Sequence, residues 1–213
     1  MVFDGAGLVI IGDVVGSRAS ERSAAWLRSL RDELDAAYGD DRLAPFEFTQ
    51  GDELQGLLRP SADPFEAVVR AGLRADRMPM RWVIAFGRID PGSGPATQRS
   101  GPAFVAAREL VAVGRRQRVP LVARTGDALS DELLDGVAPV LGRIVDELTD
   151  RQRAVARLIL VDGLRQAEAA TRLGIKPPTV SVAAERAWVR EIAGLRAACA
   201  GIVRLGIERA GAT

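Results

Sequence analysis

The sequence predicts an α+β chain: a ferredoxin-like sheet domain over residues 1–147, followed by an all-α unit over residues 148–213. Three observations predict it. Short apolar runs and segments of helical period follow one another as strand, helix, hairpin, helix, strand, helix, strand, the order of a split β-α-β sheet with helices on one face. Beyond Leu148 the pattern is helical. The charge divides at the same place, with 18 basic against 22 acidic residues before Leu148 and 11 against 6 from there on, or −4 and +5 in a chain of net charge +1.

Residues 8–11 are a continuous aliphatic run of the kind found in a strand buried on both faces, and Asp13 follows at the strand's end. Residues 20–38 read as a helix with Trp26, Leu27, Leu30, Leu34 and Ala37 on one side. Residues 46–49 alternate like a strand, residues 50–53 make a tight connection, and residues 54–58 return, so Asp52 and Glu53 lie near a hairpin tip. Asp63 and Pro64 start a helix carrying Phe65, Val68, Val69 and Leu73, and residues 81–89 are again strand-like. The Pro- and Gly-rich residues 90–101 read as a loop. Pro102 opens a helix with Phe104, Ala107, Arg108, Leu110 and Val111; residues 119–123 make the last strand, and residues 129–145 a helix leading out of the domain.

Composition excludes several chemistries. With no histidine, Ser-His and Cys-His nucleophiles and imidazole metal sites are ruled out. The one lysine, Lys176, lies in the C-terminal unit, so the sheet domain has none for a P-loop or a Schiff base. The single Cys199 permits no internal disulfide, no apolar run could span a bilayer, and no leader pattern opens the chain. The expectation is a cytoplasmic protein with no membrane partner.

In the C-terminal unit, Thr149 with Gln152 forms a capping box for a helix from about Asp150, and Gly163 closes it. A second helix spans residues 166–173, and Gly174 makes a corner. A third starts at Pro177 and Pro178, where missing N–H groups do no harm. Glu168, Ala170, Leu173, Gly174, Ile175, Thr179 and Val180 resemble the E-x-A-x-x-L-G-I-x-x-x-T-V signature of the LuxR-type module and of the fourth region of sigma factors. That resemblance implies a helix-turn-helix that binds double-stranded DNA. Arg165 and Lys176 stand where the family has small capping residues, which leaves both helix starts less well capped but places cations near a phosphate path. Helical phase turns Val180, Ala183 and Ala187 inward. The expected DNA-facing residues are Arg165, Gln166, Lys176, Pro178, Thr179, Ser181, Val182, Glu185 and Arg186. The alternative is a helical hairpin that only packs. Beyond it, Trp188, Ile192, Leu195, Cys199 and Ile202 recur at steps of four and three, which predicts a dimerisation seam and a homodimer.

In the sheet domain, Gln50, Gly51, Asp52, Glu53 and Leu54 resemble the GGDEF hairpin, and Asp13 with Asp52 matches the metal-binding pair of class III nucleotide cyclases and polymerase palms. The stretches around Asp13 to Arg18, Thr49 to Gln55, and Gly101 to Arg108 look more closely like the SatD family, over most of residues 7–125. The resemblance implies a cyclase-like fold. It makes Asp13 and Asp52 candidate metal ligands and Ser17, Arg18, Gln50, Glu53 and Arg108 candidate ligand contacts, with Mg²⁺ and a nucleotide as the implied cofactor and ligand. Arg108 resembles the cyclases' transition-state arginine and is the one catalytic candidate, whereas Phe48 and Phe104 replace polar groups that those enzymes use. The same residues also have bland readings: Asp13 as a helix cap, Gly51 and Asp52 as a plain turn, Arg108 on a solvated face. The expected function is a DNA-binding transcriptional regulator with a nucleotide- or small-ligand-sensing domain. The alternative is a metal-dependent nucleotidyl cyclase or transferase with a DNA- or partner-binding tail.

Overall fold

The computed structural model describes residues 5–16, 21–49 and 52–211. At its centre is β1 (Ala6–Val14), antiparallel to β3 (Glu53–Leu58) on one side and to β4 (Met80–Arg88) on the other. The edges are β2 (Arg42–Phe48), beside β3, and β5 (Leu121–Arg124), parallel to β4, giving the order β2-β3-β1-β4-β5. The first four strands, with α1 (Glu21–Tyr38) and α2 (Phe65–Gly72) as their connections, have the ferredoxin-like order that the sequence predicts. Then come α3 (Pro102–Gln117) between β4 and β5, and α4 (Ala128–Glu147) leading out of the sheet.

The expectation of helices on one face is corrected. Leu8 and Ile10 point into a core with Leu27, Leu30, Leu34 and Phe65 from α1 and α2, while Val9 and Ile11 point into a second core with Phe104, Ala107 and Val111 of α3. Both faces of β1 are therefore buried, and α3 covers the second.

The helical unit comprises α5 (Asp150–Leu160), α6 (Gln166–Leu173) and α7 (Pro177–Arg186) around a small core of Val155, Ala169, Ala170, Val180 and Ala184. Ala184 takes the buried position expected of Ala183, which is half-buried. The last helix, α8 (Val189–Gly211), folds back along α4 and α2. This corrects the dimerisation seam: Ile192 and Cys199 are fully buried and Leu195 and Ile202 partly buried in the sheet domain's own core, while Trp188 stays exposed. The stripe is satisfied within the chain, so a homodimer formed through it would have to displace α4. Arg196 fixes the docking through Asp63 at 2.7 Å and through Glu66, and Arg209 bonds Asp127 at 2.9 Å. Among the described residues no helix is long and apolar enough to cross a membrane.

Candidate functional site

The helix-turn-helix is built locally. Thr149 and Gln152 form the expected capping box, the Thr149 N–H donating to Gln152 Oε1 at 2.8 Å. At Arg165 the missing small cap is replaced by Glu168, whose carboxylate accepts the Arg165 N–H at 2.7 Å and the guanidinium at 3.0 Å. That pairing lowers the Glu168 pKa and raises that of Arg165. Gly174 turns the corner at φ +66°, in the left-handed region that favours glycine, and the N–H groups of Gly174 and Ile175 reach back to Thr171 O and Ala170 O.

Val180, Ala184 and Ala187 bury one side of α7, and its packing neighbours are α5, α6 and α8. The opposite side is open. Pro178, Thr179, Ser181, Val182, Glu185 and Arg186 are all exposed, as are Arg165, Gln166 and Lys176. Thr179, Val182 and Arg186 border a cleft of about 590 Å³ shared with Arg151 and Gln152 of α5, while Ser181 and Glu185 border a groove on the other flank, beside Gln166 and Arg190. Gln152 Nε2 donates to Arg186 O at 2.6 Å and locks the end of α7 to the start of α5. An exposed ridge with cations on both flanks has the shape and charge that a major groove and its two phosphate rails require. Sequence reasoning passed over Arg151, Arg172 and Arg190; all three are exposed cations in or beside this unit.

At the sheet's other candidate site, Asp13 is buried on the α3 side of β1. Arg115, in the last turn of α3, donates to both of its oxygens, Nη2 to Oδ1 at 2.7 Å and Nε to Oδ2 at 3.0 Å, and Arg81 Nη1 reaches Oδ2 at 3.3 Å. The bidentate bond to Asp13 raises the Arg115 pKa. Glu53 lies opposite Asp13 in the β1–β3 register and accepts from Gln55 Nε2 at 2.6 Å, while Gln55 Oε1 is buried with no partner among the described residues. Asp52 comes alongside, its carbonyl accepting the Val14 N–H at 3.0 Å. The fold thus brings Asp13, Asp52 and Glu53 to one end of the sheet.

Arg108 does not join them. It is exposed on α3, two turns before Arg115, which holds the carboxylate in its place. Ser17, Arg18 and Gln50 lie outside the described residues. Phe104 is core, and Phe48 lies under the Arg31 guanidinium at 6.0 Å.

A Mg²⁺ ion needs several carboxylate, carbonyl or water oxygens in near-octahedral array. Here both Asp13 oxygens accept from guanidinium groups, so a cation would meet two arginines in the space it requires. Among the described residues no three carboxylate or thiol groups gather as a ligand set. These side chains, so placed, do not fit the metal.

The SatD family model matches residues 7–116, and the model described as Sigma-70, region 4 matches residues 140–189. No curated protein matches the chain. Among solved structures, a bacterial light-regulated adenylyl cyclase is similar at 14% identity and a TM-score of 0.40, over 55% of this chain and 42% of that one. A regulator of polyketide synthase expression from Bifidobacterium adolescentis is similar at 15% identity and a TM-score of 0.26, over 98% and 83%. The chain spans less than half the length of the cyclase it matches.

Proposed function

This chain belongs to the SatD family, and we propose that it is a DNA-binding transcriptional regulator whose region 4 unit lays α7 in the major groove while the sheet domain in front of it senses a small ligand. One observation carries the reading. Pro178, Thr179, Ser181, Val182, Glu185 and Arg186 on α7 are all exposed, on the side away from the α5, α6 and α8 contacts, which leaves that face open to a groove. Arg186, Arg151 and Lys176 supply phosphate contacts, and Ser181 and Glu185 reach base edges, with glutamate accepting from cytosine N4. The reading does not rely on a dimer, because the stripe on α8 is already covered. The donor set at Asp13 favours no enzymatic alternative.

Fluorescence anisotropy on duplexes selected from a random pool tests the DNA reading. Affinity is expected to fall steeply with salt, and Arg186→Ala or Lys176→Ala to reduce the slope of log K against log [salt] by about 1 each. Glu185→Ala is expected to change which sequences are selected. Selection that returns no enriched sequence, with binding indifferent to all three substitutions, would remove the proposal.

A further inference from the structure

Four arginines converge at the end of the sheet far from Asp13. Arg42 opens β2, Arg59 follows β3, Arg88 closes β4, and Arg99 comes from the loop after β4, which folds back against the β2–β3 hairpin. Together they line a recess of about 630 Å³ with Leu43 and Ile89. Arg81 and Arg88 are seven residues apart on β4, so this recess lies roughly 23 Å from the Asp13 cluster.

Among the described residues the recess carries more cations than carboxylates, and it is pre-formed. Asp90, the one acidic lining residue among the described ones, accepts from Ser100 Oγ at 2.9 Å. Arg42 is paired with Asp35 at 2.6 Å, but among the described residues Arg88 and Arg99 meet no carboxylate. Arg59 Nε and Arg42 Nε donate to the main-chain carbonyls of Asp40, at 2.8 Å, and Gly39, at 3.0 Å, which fixes both guanidinium planes. Arg99 Nε is shielded from water and finds no acceptor among the described residues. Holding Arg88 and Arg99 beside two further guanidinium groups costs Coulomb energy that a bound anion relieves, and guanidinium forks match phosphate oxygens two at a time.

We propose that this recess is a binding site for a phosphorylated small molecule, the phosphate or diphosphate held among Arg42, Arg59, Arg88 and Arg99 and the organic part against Leu43 and Ile89. A volume of this order suits a nucleotide-sized ligand rather than a duplex, which tracks along an open surface. The site uses none of the groups at the Asp13 end. It stands whether or not α7 reads DNA.

The test is calorimetric titration of the full chain with inorganic pyrophosphate. Saturable one-site binding is expected, weakened at least about tenfold in R88A/R99A, which removes two charge-assisted donors. Arg143→Ala, exposed on α4, is expected to bind like the wild type. Arg88→Glu keeps the test decisive if the double variant folds poorly, since Arg88 is exposed at a strand end, and it too is expected to lose binding. The proposal is overturned by the absence of saturable heat at millimolar pyrophosphate, or by unchanged binding in Arg88→Glu. It is equally overturned if R88A/R99A loses duplex affinity while pyrophosphate binds neither protein, which would assign the arginines to the nucleic-acid surface.

Discussion

The docking of α8 can be tested with its own glycines. Gly194, Gly201 and Gly206 all lie inside the helix, where Gly→Ala ordinarily stabilises by about 1 kcal/mol through the lower entropy of the unfolded chain. A Cβ on Gly194 meets nothing within 4 Å, and one on Gly201 meets only an arginine tip at 4.0 Å. On Gly206 it would run into Thr125 Oγ1 and stand 2.7 Å from Cβ and 2.8 Å from Cγ2. Thr125 cannot swing aside, because its Cβ is anchored to the main chain and its hydroxyl donates to Asp131 at 3.0 Å while accepting the Asp127 N–H at 3.2 Å. Overpacking of this kind costs about 1–3 kcal/mol. Gly206→Ala is therefore expected to be neutral to destabilising by about 2 kcal/mol, and Gly194→Ala and Gly201→Ala to stabilise by up to about 1 kcal/mol. For a chain of this size, 1 kcal/mol moves the melting temperature by roughly 2–4 °C, so thermal unfolding separates the variants. If all three substitutions stabilise alike, α8 does not lie on Thr125, and its stripe is free for a partner.

Two further outcomes follow from the same helix. Burial pushes the Cys199 thiol up to about 12, and the side chain is fully covered, so an alkylating reagent at neutral pH is expected to label this only cysteine at the rate of unfolding and faster in Gly206→Ala; immediate labelling of the wild type would contradict the docking. The bond from Arg209, with those from Ser130 at the start of α4, holds Asp127 at about 2, below its ordinary 3.8. A depressed carboxylate stabilises the fold at pH above 3.8 and loses that contribution as pH falls from 3.8 toward about 2. Amide exchange at the end of α8 is thus expected to be flat from neutral pH to about 4 once corrected for intrinsic rates, and to rise below it; a rise already at pH 6 would refute the Arg209–Asp127 tie.

Periodicity made the strands and helices legible because each element buries one side against something. What it buries against is a tertiary fact. The unbroken run over residues 8–11 did signal that both faces of β1 are covered, and that signal outranks the element order that placed all helices on one face. The stripe Ile192, Leu195, Cys199, Ile202 was legible as a seam, but a seam does not name its partner; Arg196 beside it and Gly206 after it are the residues that fit the sheet domain. Arg108 and Arg115 are seven apart and so share a helix face, and only the three-dimensional distance to Asp13 selects Arg115. The arginine recess left no local motif at all, since its members come from three strand ends and a loop.

The unit carrying α7 is held to the sheet domain at both ends of one short helix. At the C-terminal end of α2, the buried Arg153 of α5 donates to Gly72 O, and also to Val145 O at 3.2 Å and Leu148 O at 2.6 Å; burial lowers its pKa. At the N-terminal end, Arg196 of α8 bonds Asp63 and Glu66. The two anchors are about 12 Å apart along eight residues. Independent sites at that distance add within about 0.3–0.5 kcal/mol. If α2 moves as one rod, losing either anchor already relaxes the other, and the double variant is less destabilised than the sum. Arg153→Met is expected to cost roughly 3 kcal/mol, because three carbonyls lose a charged donor, and Arg196→Met about 1 kcal/mol, because its guanidinium is part-exposed. Urea unfolding of the cycle is expected to leave a coupling above about 0.5 kcal/mol. Simple additivity would mean that α5 and α8 are held separately, and that no displacement of α2 reaches α7 through these two anchors together.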